Sequence, residues 1–437
     1  MNAVSVIGGG LAGCEAAYQL AKRGLPVTLY EMRPQKMTPA HTTANLAELV
    51  CSNSLRASSV ENAVGLLKEE MRRLDSLIIR AADATRVPAG AALACDREAF
   101  SLFIEEALTA QPLVQLIRQE VTVIPDGIVI IAAGPLASEG LMEQIGKLVG
   151  SKALFFHDAI APLVFAESID MSKAFFASRY DKGEGADYLN CAMDRCQYLR
   201  FYEELLTAQL HPLHDFENEK VFEGCMPIEA MAKRGLDTMR FGPLKPVGLK
   251  RPDGTEPYAV VQLRRDNATA SLYNMVGFQT RLTHGEQKRV FTLIPGLEQA
   301  EFARLGTMHR NSYINSPQLL QADLSLKTRP ELFFAGQITG VEGYVESAAA
   351  GLAAGINAAE AAKRRQPLIF PEQTALGSLL RYISIPGGTF QPMNVNFGLF
   401  PPIKIEKNQR KQKNLLLAQR ALQELQGFIE KNRQAFE

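Results

Sequence analysis

The sequence predicts an α/β protein in which a dinucleotide-binding domain is interrupted by an inserted α+β domain. Two glycine-rich turns, each following a strand and preceding a helix, support the dinucleotide-binding part. A polar and aromatic stretch that begins near residue 176 separates them. The predicted domains are therefore 1–175 and 311–437, which together form the dinucleotide-binding unit with a C-terminal helix, and an inserted domain, 176–310.

The first glycine-rich turn lies in AVSVIGGGLAGCEAAYQLAKRGLPVTLYE, which predicts one strand–helix–strand unit. Gly8, Gly10 and Gly13 have G-x-G-x-x-G spacing, and Glu31 ends the second strand about 20 residues later. Such glycines let the amides of a helix N-terminus approach a pyrophosphate, and the acid accepts a hydrogen bond from a ribose hydroxyl. The predicted cofactor contacts here are Gly8, Gly9, Gly10, Leu11, Ala12, Gly13 and Glu31.

Two core elements follow the first unit. Ser58 and Glu61 have the spacing of a capping box and predict that a helix begins at Ser58. Its apolar positions recur at steps of three and four: Val60, Val64, Leu67, Met71, Leu74 and Ile78. The segment IVIIAAGP, 128–135, predicts a buried strand of the same sheet.

The second glycine-rich turn follows a predicted strand, 332–335, and precedes a helix of small residues. Glycine and alanine allow that helix to lie close to a neighbouring backbone, and its N-terminus directs partial positive charge towards a ligand. Two such turns far apart in one chain suit the two ends of an extended dinucleotide. The predicted cofactor contacts here are Gly336, Gln337, Gly340, Tyr344 and Glu346.

The overall composition gives no net attraction to polyanions, because Lys plus Arg and Asp plus Glu both number 47. A nucleic-acid partner would need a local basic patch, and the sequence has two, 233–251 and the run 404–413 before an amphipathic C-terminal helix. The N-terminus lacks the features of a signal peptide, and no segment has the roughly 18 apolar residues of a spanning helix. We expect a cytoplasmic protein.

The six cysteines have no C-x-x-C spacing, which argues against a zinc or dithiol site. Cys225 precedes Pro227, the predicted first residue of a helix that ends at Gly235, and a helix N-terminus favours a thiolate. Cys51 lies in the polar loop LVCSNSLR. Local features leave both open between reactive and structural roles. The remaining thiols are expected to pack: Cys14, Cys95, Cys191 and Cys196.

Segments along nearly the whole chain resemble one family. They include GGGLAGCEAA, ELVCSNSLR, FEGCMPIE, TMRFGPLKPVGL, YNMVGFQT, MHRN, FFAGQITGVEGYVESAAAGLAAGINAA and FQPMNVNFGLFPP. In order and content they resemble the folate- and FAD-dependent tRNA (uracil-5-)-methyltransferases, the TrmFO family, and more distantly the GidA (MnmG) flavoproteins. The resemblance implies a Rossmann-like FAD-binding domain of the GidA/glutathione-reductase type.

The resemblance also implies an activity. It is methyl transfer to carbon 5 of the T-loop uridine of tRNA, with 5,10-methylenetetrahydrofolate as carbon donor, FAD as carrier and reductant, and NADPH or NADH as electron source. The family's motif cysteines fall on Cys51 and Cys225. Cys225 is expected to add to carbon 6 of uracil, and Cys51 to act as base or relay, while His309 and Arg310 are candidates for holding folate or uracil.

Three other functions remain compatible with the sequence. The same chemistry could act on a uridine in ribosomal RNA, which would keep every catalytic residue. A flavin-dependent oxidoreductase without an RNA substrate would need a paired dithiol near the first turn, and Cys51 has no cysteine within several residues. A non-enzymatic RNA-binding module would tolerate replacement of either motif cysteine.

Overall fold

The structure, a computed structural model, describes residues 3–150, 154–181, 186–211, 226–387 and 390–436. The strands are β1 Val4–Ile7, β2 Val27–Glu31, β3 Ser54–Ala57, β4 Arg86–Val87, β5 Ala92–Cys95, β6 Val114–Arg118, β7 Val129–Ile131, β8 Leu154–Ala159, β9 Leu163–Phe165, β10 Ala174–Ala177, β11 Tyr188–Met193, β12 Ala259–Arg265, β13 Leu272–Met275, β14 Phe302–Arg304, β15 Met308–Tyr313, β16 Ser325–Leu326 and β17 Arg329–Phe334. The helices are α1 Leu11–Lys22, α2 Ala63–Arg73, α3 Leu77–Ala84, α4 Arg97–Thr109, α5 Glu139–Val149, α6 Arg195–Thr207, α7 Ile228–Lys233, α8 Thr238–Phe241, α9 His284–Phe291, α10 Ser316–Leu319, α11 Tyr344–Ala362, α12 Ala375–Tyr382, α13 Lys413–Lys431 and α14 Arg433–Phe436.

The first sheet has the strand order β16-β17-β7-β1-β2-β6. All neighbours are parallel except the β16–β17 pair. Strands β1 and β7 are buried along their whole length, as expected for parallel strands covered on both faces. Because β17 pairs with β7 and β7 pairs with β1, the two glycine-rich turns reach the same edge of the sheet. The predicted strand–helix–strand unit and the buried strand of 128–135 are confirmed.

Helix α11 packs directly on α1 through glycines. A Cβ atom at Gly351 would lie 2.1 Å from the carbonyl oxygen of Ala12, and one at Gly355 would lie 2.8 Å from that of Ala16. The two backbones therefore touch, which only glycine permits. The close approach predicted for the small-residue helix is confirmed.

The second sheet is antiparallel, with the order β10-β11-β12-β13-β9-β14, and has its own core. Its strands run from Leu163–Phe165 to Phe302–Arg304, and the two-stranded ladder of β8 and β15 flanks it in sequence. The domain limits proposed from the sequence, 1–175, 176–310 and 311–437, stay a prediction. Asn53 joins the two units, because its amide donates to the carbonyl oxygens of Cys95 and Arg265.

The helix predicted from Ser58 is wrong in its start and its continuity. The Ser58 amide donates to the Ala91 carbonyl oxygen, which continues the β3–β5 pairing, so α2 begins only at Ala63. The chain then breaks at Asp75, with φ of 57°, and α3 starts behind Ser76, whose hydroxyl accepts from the Ile79 amide. In the described part of the chain, no helix combines the length and the apolar composition needed to cross a membrane.

Candidate functional site

A cleft of about 1030 Å³ opens where the parallel strands of the first sheet end. Its walls come from the residues that follow β1, β2, β6, β7 and β17, which is where ligands bind in open α/β sheets. Eight of the predicted cofactor residues line it: Gly8, Gly10, Leu11, Ala12, Glu31, Gly336, Gln337 and Tyr344. The structure thus brings together sequence segments more than 300 residues apart.

The first glycine turn has no room for side chains at two positions. A Cβ atom at Gly8, where φ is 109°, would lie 2.5 Å from the Ala132 carbonyl oxygen, and one at Gly13 would lie 1.8 Å from that of Gly8. Gly10 precedes α1, and the amides of the first turn of α1 have no intrahelical acceptor. This helix end therefore presents amides and positive partial charge to the cleft.

Glu31 is held in place by two neighbours. Its Oε2 accepts from the Gly9 amide at 2.9 Å, and its Oε1 accepts from the amide and Nε of Arg33 at 2.9 and 3.0 Å. Burial raises the pKa of Glu31, but the Arg33 hydrogen bonds and charge outweigh burial and hold that pKa below its usual range. Arg33, itself 1% exposed, also donates a hydrogen bond to Glu48. Sequence reasoning missed Arg33 and Glu48.

The second glycine turn touches the first. A Cβ atom at Gly336, where φ is 80°, would lie 2.8 Å from the Ala12 side chain. Gln337 lines the cleft and donates to Glu342. Gly340 packs against Phe390 outside the cleft. Two adjoining glycine turns, with Tyr344 behind them, form one continuous floor.

Glu346 lies buried behind this floor and does not line the cleft. Its Oε1 accepts from Arg56 and from the Val395 amide, while its Oε2 has no hydrogen-bond partner in the part of the chain that the structure describes. Arg56 belongs to β3, directly after the Cys51 loop. Glu346 therefore connects the start of α11 to the segment that carries Cys51.

These features fit FAD. The free amides of α1 suit a pyrophosphate. Glu31 Oε2 accepts one hydrogen bond from the described residues and can take a second from a ribose hydroxyl. Gly8, Gly10 and Gly336 line the space between the two turns. Because glycine has no Cβ atom, an extended ligand can lie directly against the backbone there.

Cys51 lies at the Tyr344 end of the cleft, next to the lining residue Val50. The Tyr344 hydroxyl oxygen accepts from the amides of Cys51 at 2.8 Å and Ser52 at 3.2 Å, and it lies 2.9 Å from the Cys51 sulfur. Two amide donors occupy the lone pairs of the phenol oxygen, so its own proton points to the sulfur. Burial raises the pKa of Tyr344 well above its ordinary value, and the phenol stays protonated near neutral pH.

Buried cationic side chains hold the rest of the Cys51 loop. Arg264 donates to Ser52 Oγ at 2.7 Å and to Asn53 Oδ1 at 2.9 Å. Lys68 donates to the carbonyl oxygens of Leu55 and Ala57, each at 2.8 Å. The loop and the strand β3 that follows it are therefore held from β12 and from α2. Sequence reasoning missed these supports, and the one available signal was the double arginine that ends the strand-like run AVVQLRR.

The remaining predicted site residues cannot be placed. Cys225 lies outside the described residues, and so do the side chains of His309 and Arg310, whose backbone belongs to β15. The helix that follows Cys225 begins at Ile228, with Pro227 as N-cap rather than as first helical residue.

The other cysteines separate by burial. Cys14, Cys95 and Cys191 are buried as predicted, and burial raises the pKa of Cys95 and of Cys191 to about 12. Cys196 is exposed, so the prediction that it packs is wrong. It lies in the first turn of α6, away from the stripe of Tyr198, Phe201 and Leu205 that this helix buries.

Comparison with known proteins identifies the family. The family model described as glucose inhibited division protein A matches residues 3–366. The chain is 60% identical, over 98% of both chains, to the methylenetetrahydrofolate--tRNA-(uracil-5-)-methyltransferase TrmFO of Desulforamulus reducens, and 59% identical, again over 98% of both, to that of Heliobacterium modesticaldum. A solved structure of Aquifex aeolicus GidA is 17% identical and shares the fold, with a TM-score of 0.71 over 99% of this chain and 77% of that one. The chain therefore belongs to the GidA family and, within it, to the TrmFO methyltransferases.

Proposed function

We propose that this chain methylates carbon 5 of the T-loop uridine of tRNA. The carbon comes from 5,10-methylenetetrahydrofolate, and the electrons come from NADPH or NADH through FAD. The observation that carries the proposal is the position of Cys51, whose thiol is within hydrogen-bond distance of the Tyr344 hydroxyl at the end of a cleft that fits FAD. The chain is also 60% identical to a relative named for this reaction.

The residues of the cleft would divide the work of holding the cofactor. The first turn of α1 would bind the pyrophosphate, Glu31 the ribose, and the Gly336 turn with Tyr344 would flank the ring system. FAD supplies the carrier of the one-carbon unit and the two electrons that convert a methylene group into a methyl group. The protein fixes this chemistry next to Cys51.

The thiols answer a specific chemical need. Carbon 5 of uracil is a poor nucleophile until a nucleophile adds to carbon 6, and it later has to lose its proton. We assign the addition to Cys225 and the proton removal to Cys51. The 2.9 Å contact between the Tyr344 hydroxyl and the Cys51 sulfur supports this assignment, because it holds the sulfur at the end of the cleft, where a base has to reach the substrate.

The inserted domain offers a surface for RNA. Phe241 is 84% exposed, and Lys233, Arg234 and Lys250 are exposed in the same basic segment, 233–251. An exposed aromatic ring among cations suits an RNA, whose bases stack and whose phosphates attract lysine and arginine. A uridine in a folded loop must also leave its stack to react, which costs a few kcal/mol that such contacts would offset.

The experiment is a labelled transfer assay with purified, FAD-loaded protein. It receives methylenetetrahydrofolate labelled in the methylene carbon, NADPH or NADH, and either unmodified tRNA or ribosomal RNA. We expect label in tRNA, at carbon 5 of one T-loop uridine. Label in ribosomal RNA alone would move the same chemistry to another substrate, and NAD(P)H oxidation without label in either RNA would indicate an oxidoreductase.

A further inference from the structure

A cluster of arginines adjoins the Cys51 loop with little negative charge to balance it. Arg97 pairs with the buried carboxylate of Asp266, whose charge also favours the protonated forms of Arg264 and Arg304. Arg304 pairs across the second sheet with Leu163, Leu163 pairs with Asn274, and Asn274 pairs with Arg264, whose guanidinium group contacts the Cys51 loop. The positive charge is therefore concentrated where the proposed reaction takes place.

Two of the arginines hold the Cys51 loop in position. Arg264 holds Ser52 and Asn53, as described above. Arg97 donates through Nε to Asp266 and through Nη1 to the Leu49 carbonyl oxygen, at the other end of the loop. Of the guanidinium nitrogens of these two residues, Arg97 Nη2 alone is buried without a hydrogen-bond partner among the described residues. These two residues fix the position of the loop.

Arg304 is different. It lies at the end of the edge strand β14, and both its Nε and its Nη2 are buried without a hydrogen-bond partner in the described part of the chain. It forms none of the ion pairs identified among the described residues. Burial lowers the pKa of Arg304, while Asp266, Tyr344 and Cys51 each raise it.

Arg304 as a whole is half-buried, but enclosing two of its guanidinium nitrogens without a partner is expensive. Burying an uncompensated charge costs several kcal/mol, and arginine cannot escape the cost by losing its proton near neutral pH. Two unused N–H groups on one planar group can converge on one oxygen atom that carries negative charge. Arg304 lies in line across the sheet with Arg264, which contacts the Cys51 loop, so a molecule reacting at this thiol is the candidate to supply that oxygen.

We propose that Arg304 is a catalytic residue that binds the uracil carbonyl oxygen on which negative charge develops during methylation. The inference rests on the proposed function. When a thiolate adds, its lone pair forms the sulfur–carbon 6 bond, and the π electrons of the carbon 5–carbon 6 bond shift into an enolate ending on the carbon 4 oxygen. No proton moves in this step. A guanidinium in place before the reaction stabilises that oxygen without reorganising.

The test compares Arg304→Gln and Arg304→Lys with wild-type protein in single-turnover methyl transfer to tRNA. Removal of one preorganised donor group typically costs 10²–10³-fold in rate, so we expect a loss of about that size for Arg304→Gln and a partial recovery for Arg304→Lys. RNA affinity, folate half-saturation and flavin reduction by NAD(P)H should stay within about threefold of wild type. Arg73→Gln is the matched control, since Arg73 is an exposed arginine paired with Glu69, and should change nothing.

Other outcomes would overturn the proposal, and two of them would identify a different anion as the ligand of Arg304. A weaker RNA affinity with a smaller salt dependence would indicate a phosphate contact. A raised folate half-saturation with an unchanged saturating rate would indicate a folate carboxylate, and unchanged kinetics would remove Arg304 from the reaction.

A second readout needs no RNA. Because Arg304→Gln removes a half-buried charge that forms none of the ion pairs identified among the described residues, the FAD-loaded variant should unfold at the same or a higher denaturant concentration than wild type. A lower midpoint would show that Arg304 serves the fold instead. If wild-type protein methylates no RNA, the proposed function fails, whereas a failure confined to the Arg304 variants leaves that function intact.

Discussion

The contact between α1 and α11 makes Gly351→Ala the most informative single substitution for the fold of the cofactor site. The new Cβ atom would lie 2.1 Å from the Ala12 carbonyl oxygen, and its next contacts, at 2.7 Å, are also backbone atoms. Backbone cannot rotate away as a side chain can, so the helices have to separate by about 1 Å to reach van der Waals distance. The movement displaces Ala12, a residue of the first glycine turn.

The expected cost follows from two opposing terms. Overpacking a tight core contact costs about 1–3 kcal/mol or more, while Gly→Ala inside a helix returns about 0.5–1 kcal/mol. The net destabilisation should be up to about 2.5 kcal/mol, with a larger relative loss of FAD because Ala12 lines the cleft. Flavin content per protein, read from the visible absorbance, and urea unfolding of the FAD-loaded protein measure the two effects.

Gly427→Ala provides the matched control. Gly427 is exposed within α13, and a Cβ atom there would meet no atom within 4 Å. The same substitution should therefore leave flavin content unchanged and stabilise the protein by about 0.5–1 kcal/mol. Our reasoning is refuted if Gly351→Ala binds FAD normally and unfolds at the wild-type midpoint.

Two further substitutions test the support of the Cys51 loop. Tyr344→Phe leaves the amides of Cys51 and Ser52 without an acceptor, and each lost hydrogen bond should cost about 1–3 kcal/mol. These amides should therefore exchange hydrogen faster, and methyl transfer should fall at least about tenfold. Tyr382→Phe, which removes an exposed hydroxyl, is the control and should change neither. Burial lowers the pKa of Lys68 from 10.5 to about 7, so the folded protein binds fewer protons than the unfolded chain between these values, and stability should rise with pH there. Urea unfolding at pH 7 and 9.5 should show a rise in stability of up to about 3 kcal/mol. Lys68→Met should abolish this rise and the exposed Lys147→Met should retain it; equal pH dependence in both variants would contradict the assignment.

Local sequence patterns predicted the parts of the site that depend on backbone. G-x-G-x-x-G spacing identified Gly8 and Gly13 because a side chain there collides with backbone a few residues away or on the adjacent strand. The small residues of α11 predicted the contact with α1 for the same reason. These constraints act on residue type at fixed spacing, which a single sequence displays.

The supports of the site were not predictable in the same way. Arg264 and Asn53 are 211 positions apart and meet only because the Cys51 loop packs against β12. The capping box at Ser58 failed because β pairing took the Ser58 amide, a tertiary effect that overrides local spacing. Cys196 failed because cysteine is commonly buried, whereas its position on α6 faces away from the core.

The most direct test of the account compares two thiols in the same enzyme. Cys51→Ala and Cys196→Ala are loaded with FAD and assayed for flavin reduction by NAD(P)H and for transfer of labelled carbon from methylenetetrahydrofolate to tRNA. We predict that Cys51→Ala reduces its flavin but transfers label at least about 10³-fold more slowly, and that Cys196→Ala, which lacks only an exposed thiol, matches wild type in both. Label transfer at the wild-type rate by Cys51→Ala would contradict the central claim that this thiol takes part in the reaction.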